Sequence, residues 1–564
     1  MNAYNCDGSI LALGGPGSGK TTLALLKAKL LFPHLKPGQR ILFLSFSRSA
    51  VQQVMSSCGQ LLTTAERQSV VVQTYHAFCL DLIRCYGRLL TGYPPTILFP
   101  DQEHLRKAEF IGDWHAETLR LAEAEGLYVF DLFADAAVRL VAGSATISGL
   151  VSDKYPYIIF DEFQDTSDSQ WELVQCLAQR STLTFLADTE QRIFDYDYRV
   201  NPERLDQLSA ELHPQVFDLG SANYRSPNTD ILSFANAVLH NRPLPDAGDV
   251  HVAFYPSRTG MDNWATHLAV IQAFQQLKKD GVAHPTVAVL TRSNSLVASV
   301  SDWLRQPSPA VQNRVLPPIP HDVVWDADLA ASAAHVVGTI MDWPNLDQEV
   351  AVAQTLDACA EFYLLKSAAN PTRGKTARAL GVRLRDSAQR IRDGHTVVGK
   401  AATHIFDAWF TFLPQIGNPQ SDWIAARDIL AGVNDLAGVL THARFTRLFG
   451  ATDEIGGRLA HQWNDTGTYA NAGNIVRRAI DAGRVMSEAQ EPRGCLVMNI
   501  HKSKGKEFDG VVLVEGRYAG VFFNPKWEKE PFEATRRLLR VGITRARQVV
   551  FIVRPAGAQS LTDQ

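Results

Sequence analysis

Lys20 and Thr21 close a glycine-rich run, Gly14-Gly15-Pro16-Gly17-Ser18-Gly19, that follows the apolar stretch Ile10-Leu11-Ala12-Leu13 and precedes the helix-like Leu23-Ala24-Leu25-Leu26. Backbone N–H groups of such a turn can surround an anion, and the following helix adds the positive end of its dipole. In this spacing the lysine ammonium reaches β- and γ-phosphate oxygens and the threonine hydroxyl holds Mg²⁺. The chemistry implied is the binding of a nucleoside triphosphate by Gly15, Pro16, Gly17, Ser18, Gly19, Lys20, Thr21 and Thr22. A second reactive group is Asp161-Glu162-Phe163-Gln164-Asp165, directly after the apolar run Tyr157-Ile158-Ile159-Phe160. Two carboxylates at the carboxyl edge of a buried strand stand where open sheets bind ligands. Asp161 suits Mg²⁺, and Glu162 suits polarising a water for in-line attack on a γ-phosphate. A solvated acidic turn is the other reading; the strand before it and the phosphate loop upstream favour the catalytic one.

These groups need a sheet to hold them. Strand-like runs recur with helical stretches between them: Ile41–Leu44, Val70–Val72, Tyr157–Phe160 and Leu183–Leu186, then Val250–Phe254, Thr286–Leu290, Cys495–Met498, Val511–Val514 and Val549–Val553. Alternation of this kind predicts parallel sheets with helices on both faces. Residues 325–488 are rich in Ala, Leu, Arg and Asp at helical spacing and read as a helical insertion into the second sheet domain, bounded by Pro317, Pro318 and Pro320 on one side and Pro492 and Gly494 on the other. A shorter helical insertion, 80–147, interrupts the first.

At 564 residues the chain exceeds what one hydrophobic core supports. Its 55 basic and 59 acidic residues leave a formal charge of −4, so an anionic partner must be met by local basic patches rather than by the global field. The seven cysteines are scattered without a C-x-x-C pair, which points to reduced thiols and away from a metal cluster. No apolar run approaches bilayer length and no basic leader precedes the phosphate loop, so a soluble, cytoplasmic protein with no membrane partner is expected.

Four further segments complete an ordered set: Ala187-Asp188-Thr189-Glu190-Gln191-Arg192-Ile193-Phe194, Asn223-Tyr224-Arg225-Ser226, Ile500-His501-Lys502-Ser503-Lys504-Gly505-Lys506-Glu507-Phe508, and Val541-Gly542-Ile543-Thr544-Arg545-Ala546-Arg547. With the phosphate loop and the acidic pair they run in the order found in the UvrD, Rep and PcrA family of superfamily-one DNA helicases, which the chain resembles from Gly14 to Arg547. The resemblance implies an α/β fold of two RecA-like P-loop NTPase domains, each with a helical insertion: 1–79 and 148–222 for the first, with insertion 80–147, and 223–324 and 489–564 for the second, with insertion 325–488. It implies ATP and Mg²⁺ as cofactors. It implies Arg225 and Arg545 as arginine fingers, Gln191 as a γ-phosphate sensor, Tyr224 stacking on adenine and Glu507 facing the ribose. Two departures stand out. No glutamine-bearing segment is visible ahead of the phosphate loop, and Thr22 occupies a position where the family often has an arginine over the base, so weak adenine selection is expected.

Motors of this kind act on single-stranded DNA. Phe46, Phe194 and Tyr196 offer faces on which bases stack at about 1–3 kcal/mol each without sequence preference. The trio Thr74-Tyr75-His76 adds a hydroxyl and further aromatic faces, and Arg48, Arg292, His501 and Lys502 offer groups for phosphates or sugars; Phe46 and Tyr75 could equally be core and Arg292 a solvated charge. Basic residues from Arg373 to Arg392 in the long insertion suggest a face for duplex DNA or a protein partner, or only a solvated helix face. The expectation is an ATP-dependent helicase or translocase moving 3′ to 5′ on single-stranded DNA and acting at single-strand/duplex junctions. The alternative is a nucleotide-switched DNA-binding regulatory subunit. With only a short tail after Arg547, a fused nuclease is not expected there. The compact motif set resembles helicase subunits of antiviral systems, so a separate nuclease subunit is a candidate partner.

Overall fold

The structure, a computed structural model, describes residues 3–46, 48–98, 103, 106–107, 110, 112–189, 200–220, 224–227, 229–256, 258–324, 327–368, 375–412, 415–443, 454–477, 479, 493–517, 520–523 and 528–562. The chain forms two compact units, one of residues 1–97, 118–324 and 491–564, the other of 98–117 and 325–490.

The first unit holds two six-stranded sheets in which every pairing is parallel. The first consists of β1 (Ile10–Leu13), β2 (Ile41–Ser45), β3 (Val70–Thr74), β6 (Tyr157–Phe160), β7 (Thr182–Ala187) and β8 (Gln215–Asp218), in the order β3-β2-β6-β7-β1-β8. A separate two-residue pair, β4 (Thr96–Ile97) and β5 (Leu127–Tyr128), lies apart from it. Register places Leu11, Phe185, Phe160, Leu44 and Gln73 in one row across the sheet. Because all strands point the same way, Gly14, Ser45, Tyr75, Asp161 and Asp188 therefore emerge together at the carboxyl edge. The central strands are largely apolar because helices cover both faces. β2 is buried at every position, and each such Leu, Ile or Phe contributes roughly 1.5–3 kcal/mol.

The second sheet has the order β11-β12-β10-β13-β14-β9, from β9 (Val250–Tyr255), β10 (Thr286–Thr291), β11 (His321–Val323), β12 (Gly494–Asn499), β13 (Phe508–Val514) and β14 (Ala546–Pro555). Asp509 clasps its centre, accepting from the Thr286 backbone N–H at 2.9 Å and its hydroxyl at 2.8 Å. The α/β class with parallel sheets flanked by helices is thus what the strand-helix alternation predicts. The edge strands β8 and β11 carry no sustained apolar run, since edges bury less.

The described residues of the second unit are helical and without strands between 325 and 490, and their core runs from Leu329 to Ala479. In the helix Ala327–Met341, His335 Nδ1 donates to the Gly473 carbonyl at 3.0 Å. Burial, reinforced by the Arg477 cation, pushes its pKa down to about 4. The folded state holds the ring neutral while the unfolded chain takes up a proton below the ordinary value of about 6.5. Stability is therefore intact above pH 6.5 and is lost as pH falls toward 4, by at most about 3 kcal/mol. Urea titrations between pH 7 and 4.5 should show a shallower pH slope for His335→Gln than for the parent, and parallel slopes would contradict this. No single helix among the described residues is long and apolar enough to cross a membrane.

Candidate nucleotide site at the sheet edge

The loop after β1 takes its shape from glycine. Gly17 and Gly19 have φ of 73° and 85°, a region costly to residues with a Cβ, and a Cβ on Gly14 would stand 2.4 Å from the Ser18 hydroxyl. The helix Lys20–Leu31 starts from Gly19 with no side-chain cap, which leaves its first N–H groups for a ligand. Lys20 Nζ donates to the carbonyls of Gly14 at 2.7 Å and Gly15 at 3.0 Å, folded back over the curve of the loop. These features fit a phosphate chain. Thr21 is partly exposed beside them and Thr22 exposed.

Asp161 follows β6 and accepts from the Ser45 hydroxyl at 3.2 Å. Burial and the neighbouring Glu162 charge push its pKa up to about 7, against the opposing pull of Lys20. Glu162 adopts φ 52°, a left-handed conformation uncommon outside glycine, and Gln164 Nε2 donates to it at 2.5 Å. Burial alone would raise the Glu162 pKa, yet Lys504, Lys20 and Arg545 together with the Gln164 bond hold it below the usual range. Asp161 is thus the carboxyl that shares a proton near neutrality and Glu162 the one that stays ionised. Asp161 and Thr21 supply hard oxygen donors. Mg²⁺ is commonly held by one or two such groups plus substrate phosphates, so the set fits that ion.

The second sheet contributes cations to this same edge. The side chain of Arg545 is buried, its Nε donating to the Val541 carbonyl at 3.0 Å. Burial and then Arg225 press its pKa down to about 10, while Glu162, Glu507 and Asp188 counter them. Arg225 donates to the Thr544 carbonyl at 3.1 Å and pairs with Glu507 at 2.6 Å. Glu507 also pairs with Arg547 at 3.3 Å and accepts from Gln53 Nε2, so in this state its carboxylate is bound to arginines and an amide. Tyr224 donates its backbone N–H to the Gly17 carbonyl at 2.8 Å, and its ring, 73% exposed, lies 3.6 Å from where a Cβ on Gly19 would be. An exposed aromatic fixed over the phosphate loop is a platform for a flat ring.

Lys504 is a residue that the sequence reading left without a role. Its Nζ pairs with the buried Asp165, and the carboxylates of Asp165 and Glu162 hold its pKa up against burial. The signal was hidden in the alternation Lys502, Lys504, Lys506, which reads as a solvated run. The structure thus gathers Lys20, Asp161 and Glu162 with Lys504, Arg225, Arg545 and Glu507. Gln191, Phe194 and Tyr196 lie outside the described residues, as do Arg373 and the side chain of Arg48.

The remaining candidates sit near the β2–β3 edge and on the second sheet. Phe46 meets the buried Tyr75 ring at 6.3 Å, edge-on. Thr74 caps the helix Tyr75–Tyr86, its hydroxyl accepting from Ala77 N–H at 3.1 Å. The exposed His76 stands 6.2 Å from Phe130. Arg292 turns inward, donating to the Phe522 carbonyl and, at 3.3 Å, to Thr535. Burial and Arg292 together lower the pKa of the neighbouring His501.

A family model described as the UvrD/REP helicase N-terminal domain matches residues 1–126 and 119–200, and one described as the UvrD-like helicase C-terminal domain matches 494–553. The chain is 22% identical to the ATP-dependent DNA helicase PcrA of Leuconostoc citreum, over 97% of this chain and 80% of that protein. It is 22% identical to the putative ATP-dependent DNA helicase YjcD of Bacillus subtilis, over 99% and 78%. With the ATP-dependent DNA helicase Rep of Salmonella typhimurium it shares 27% identity over 42% of each. The chain thus carries, on two parallel sheets, regions that match the N-terminal and C-terminal domain models of UvrD/Rep-like helicases.

Proposed function

We propose that this chain is an ATP-driven motor that moves 3′ to 5′ along single-stranded DNA and opens duplex at single-strand/duplex junctions. The observation that carries the reading is the meeting of one sheet's phosphate loop and acidic pair with Arg545, buried just before β14 of the other sheet, and with Lys504 and Arg225 beside it. A binding protein needs only the loop. Turnover needs a base beside it and cations where charge develops on the transferred phosphoryl group.

In this mechanism Lys20 would leave the Gly14 and Gly15 carbonyls for β- and γ-oxygens, and Thr21 with Asp161 would hold Mg²⁺. That ion, when bound, neutralises phosphate charge and orients the chain for in-line attack. Glu162, kept ionised by the surrounding cations, orients and deprotonates the attacking water. Arg225 and Arg545 stabilise the terminal phosphoryl oxygens. Arg225 would have to loosen its pair with Glu507, which leaves that carboxylate for the ribose, with Tyr224 under the base. Because these cations come from the second sheet, nucleotide binding favours approach of the two sheets and hydrolysis favours release, and an alternating grip on the strand makes a step. We place the two motor domains at 1–79 with 148–222 and 223–324 with 489–564, and the grip on DNA at Phe46, His76 and their neighbours. The 3′ to 5′ sense is supported by family likeness alone.

Steady-state hydrolysis with and without single-stranded DNA tests the proposal. We expect stimulation of an order of magnitude or more, activity with dATP and GTP as well as ATP, and unwinding of a 3′-tailed but not a 5′-tailed duplex. Hydrolysis indifferent to DNA would remove the motor, and preference for the 5′ tail would reverse the polarity.

A further inference from the structure

Arg540 lies in the helix Glu533–Ile543, within the apolar stretch Leu538-Leu539-Arg540-Val541, and its side chain is only 1% exposed. Burying a guanidinium is costly unless something of opposite charge is met there. Its three nitrogens face three ways. Nε donates to the Asn236 side-chain oxygen at 3.0 Å, tying the base of the guanidinium to the helix Ile231–Leu239 beside the second sheet. Nη1 faces the Asp188 carboxylate at 3.8 Å, just beyond the end of β7 on the first sheet. Nη2 stands 3.7 Å from the point a Cβ on Gly15 would occupy, against the phosphate loop.

We propose that Arg540 is a third arginine ligand of the bound triphosphate, which exchanges Asp188 for a phosphate oxygen when the nucleotide enters. The inference rests on the triphosphatase reading of the site and adds a residue to it. Two observations carry it. The Asp188 contact, at 3.8 Å, is well beyond the 2.7–2.9 Å of a good charge-assisted bond, so a better-placed anion would displace it. Lys20 Nζ rests on the Gly14 and Gly15 carbonyls, which marks that part of the loop as the β/γ end, and this is the part Arg540 Nη2 approaches. Asp188 is also coupled to the acidic pair: its backbone N–H donates to Gln164 Oε1 at 3.1 Å, and Gln164 Nε2 donates to Glu162. Release of Asp188 by Arg540 would therefore be felt at Glu162 through one amide side chain, linking phosphate occupancy to the position of the base.

The test compares ADP with ATPγS binding to the full chain in the presence of Mg²⁺. Arg540→Gln should weaken ATPγS by about 10- to 100-fold, the span expected for a hydrogen bond to a charged group, and leave ADP affinity unchanged. Arg540→Lys should recover part of the loss, and Asp188→Asn, which weakens the competing partner, should tighten ATPγS. Wild-type ATPγS affinity in Arg540→Gln would overturn the proposal. So would an equal loss of both nucleotides, the signature of a strut between the sheets. Should Arg540→Gln not fold, an Asp188→Asn variant with unchanged or weakened ATPγS binding overturns it in the same way. If the parent chain binds neither nucleotide, it is the triphosphate reading of the site that fails.

Discussion

Glu162→Gln should lower ATP turnover by about 10²- to 10⁴-fold, the contribution expected of a positioned general base, while nucleotide affinity is retained. Its carboxylate is held ionised despite burial, with Lys504, Lys20 and Arg545 all acting on it. Gln164 Nε2 donates to it at 2.5 Å, and the Glu162 backbone takes the left-handed conformation, φ 52°, at the end of the strand. Glutamine keeps the shape and removes the basicity, so binding through Lys20 and the loop is left intact. A second consequence follows from its neighbour. The Glu162 charge is one reason, after burial, that Asp161 holds its proton up to about pH 7. Removing that charge lets Asp161 ionise at lower pH, so Mg²⁺-nucleotide binding in the variant should persist to more acidic conditions than in the parent. Single-turnover hydrolysis and a binding isotherm at pH 6 and 8 check both parts. Normal turnover in the variant would overturn the assignment of the base.

Arg545→Gln should cost a further large factor, about 10³- to 10⁵-fold in turnover, as expected for loss of an arginine that neutralises developing phosphoryl charge. The side chain is buried, and burial together with Arg225 makes its proton easier to lose than in water. Two guanidinium groups held in mutual repulsion store a preference for an anion between them. In this state Glu507 partly answers that need through its 2.6 Å pair with Arg225, and a triphosphate would answer it better. Arg225→Gln should therefore act in the same direction, and the double variant should lose less than the product of the two, because both arginines serve one charge. Turnover numbers compared with ADP affinity separate this from misfolding, since a chain that merely loses structure loses ADP as well. Full additivity would place the two arginines in independent roles.

The parts of this molecule that the sequence discloses are those where one local pattern carries one physical demand. Tyr157–Phe160 must be apolar because both faces of β6 are covered, and the carboxylates that follow are then pinned to its end. The phosphate loop is legible for the same reason, since only glycine takes the φ values it needs. The edges are less legible. Gln215-Val216-Phe217-Asp218 pairs, among the described residues, only with β1 and is largely exposed, so nothing obliges it to form an apolar run. The distant arginines show a different limit. No periodicity links Arg225 or Arg545 to Lys20; their order within the motif set suggests the partnership, and the crossover connections of the two sheets bring them together. Arg540 and Lys504 went unread for opposite reasons. One stands among leucines, where an ionised residue on a buried helix face is the signal, and the other stands among lysines, where the companion Asp165 lies far away in sequence. Thr74 shows how a residue with suitable chemistry also has a local duty, since its hydroxyl caps a helix.

In the proposed motor, side chains from two separately built domains close around one triphosphate. A structure of the full chain with Mg²⁺, ADP and aluminium fluoride tests it most directly, because the fluoride occupies the position of the phosphoryl group in flight. The guanidinium groups of Arg225 and Arg545 should lie within hydrogen-bonding distance of the fluoride, with Glu162 on the attacking water. Both arginines turned away from it, with Glu507 still bound to Arg225, would contradict the account.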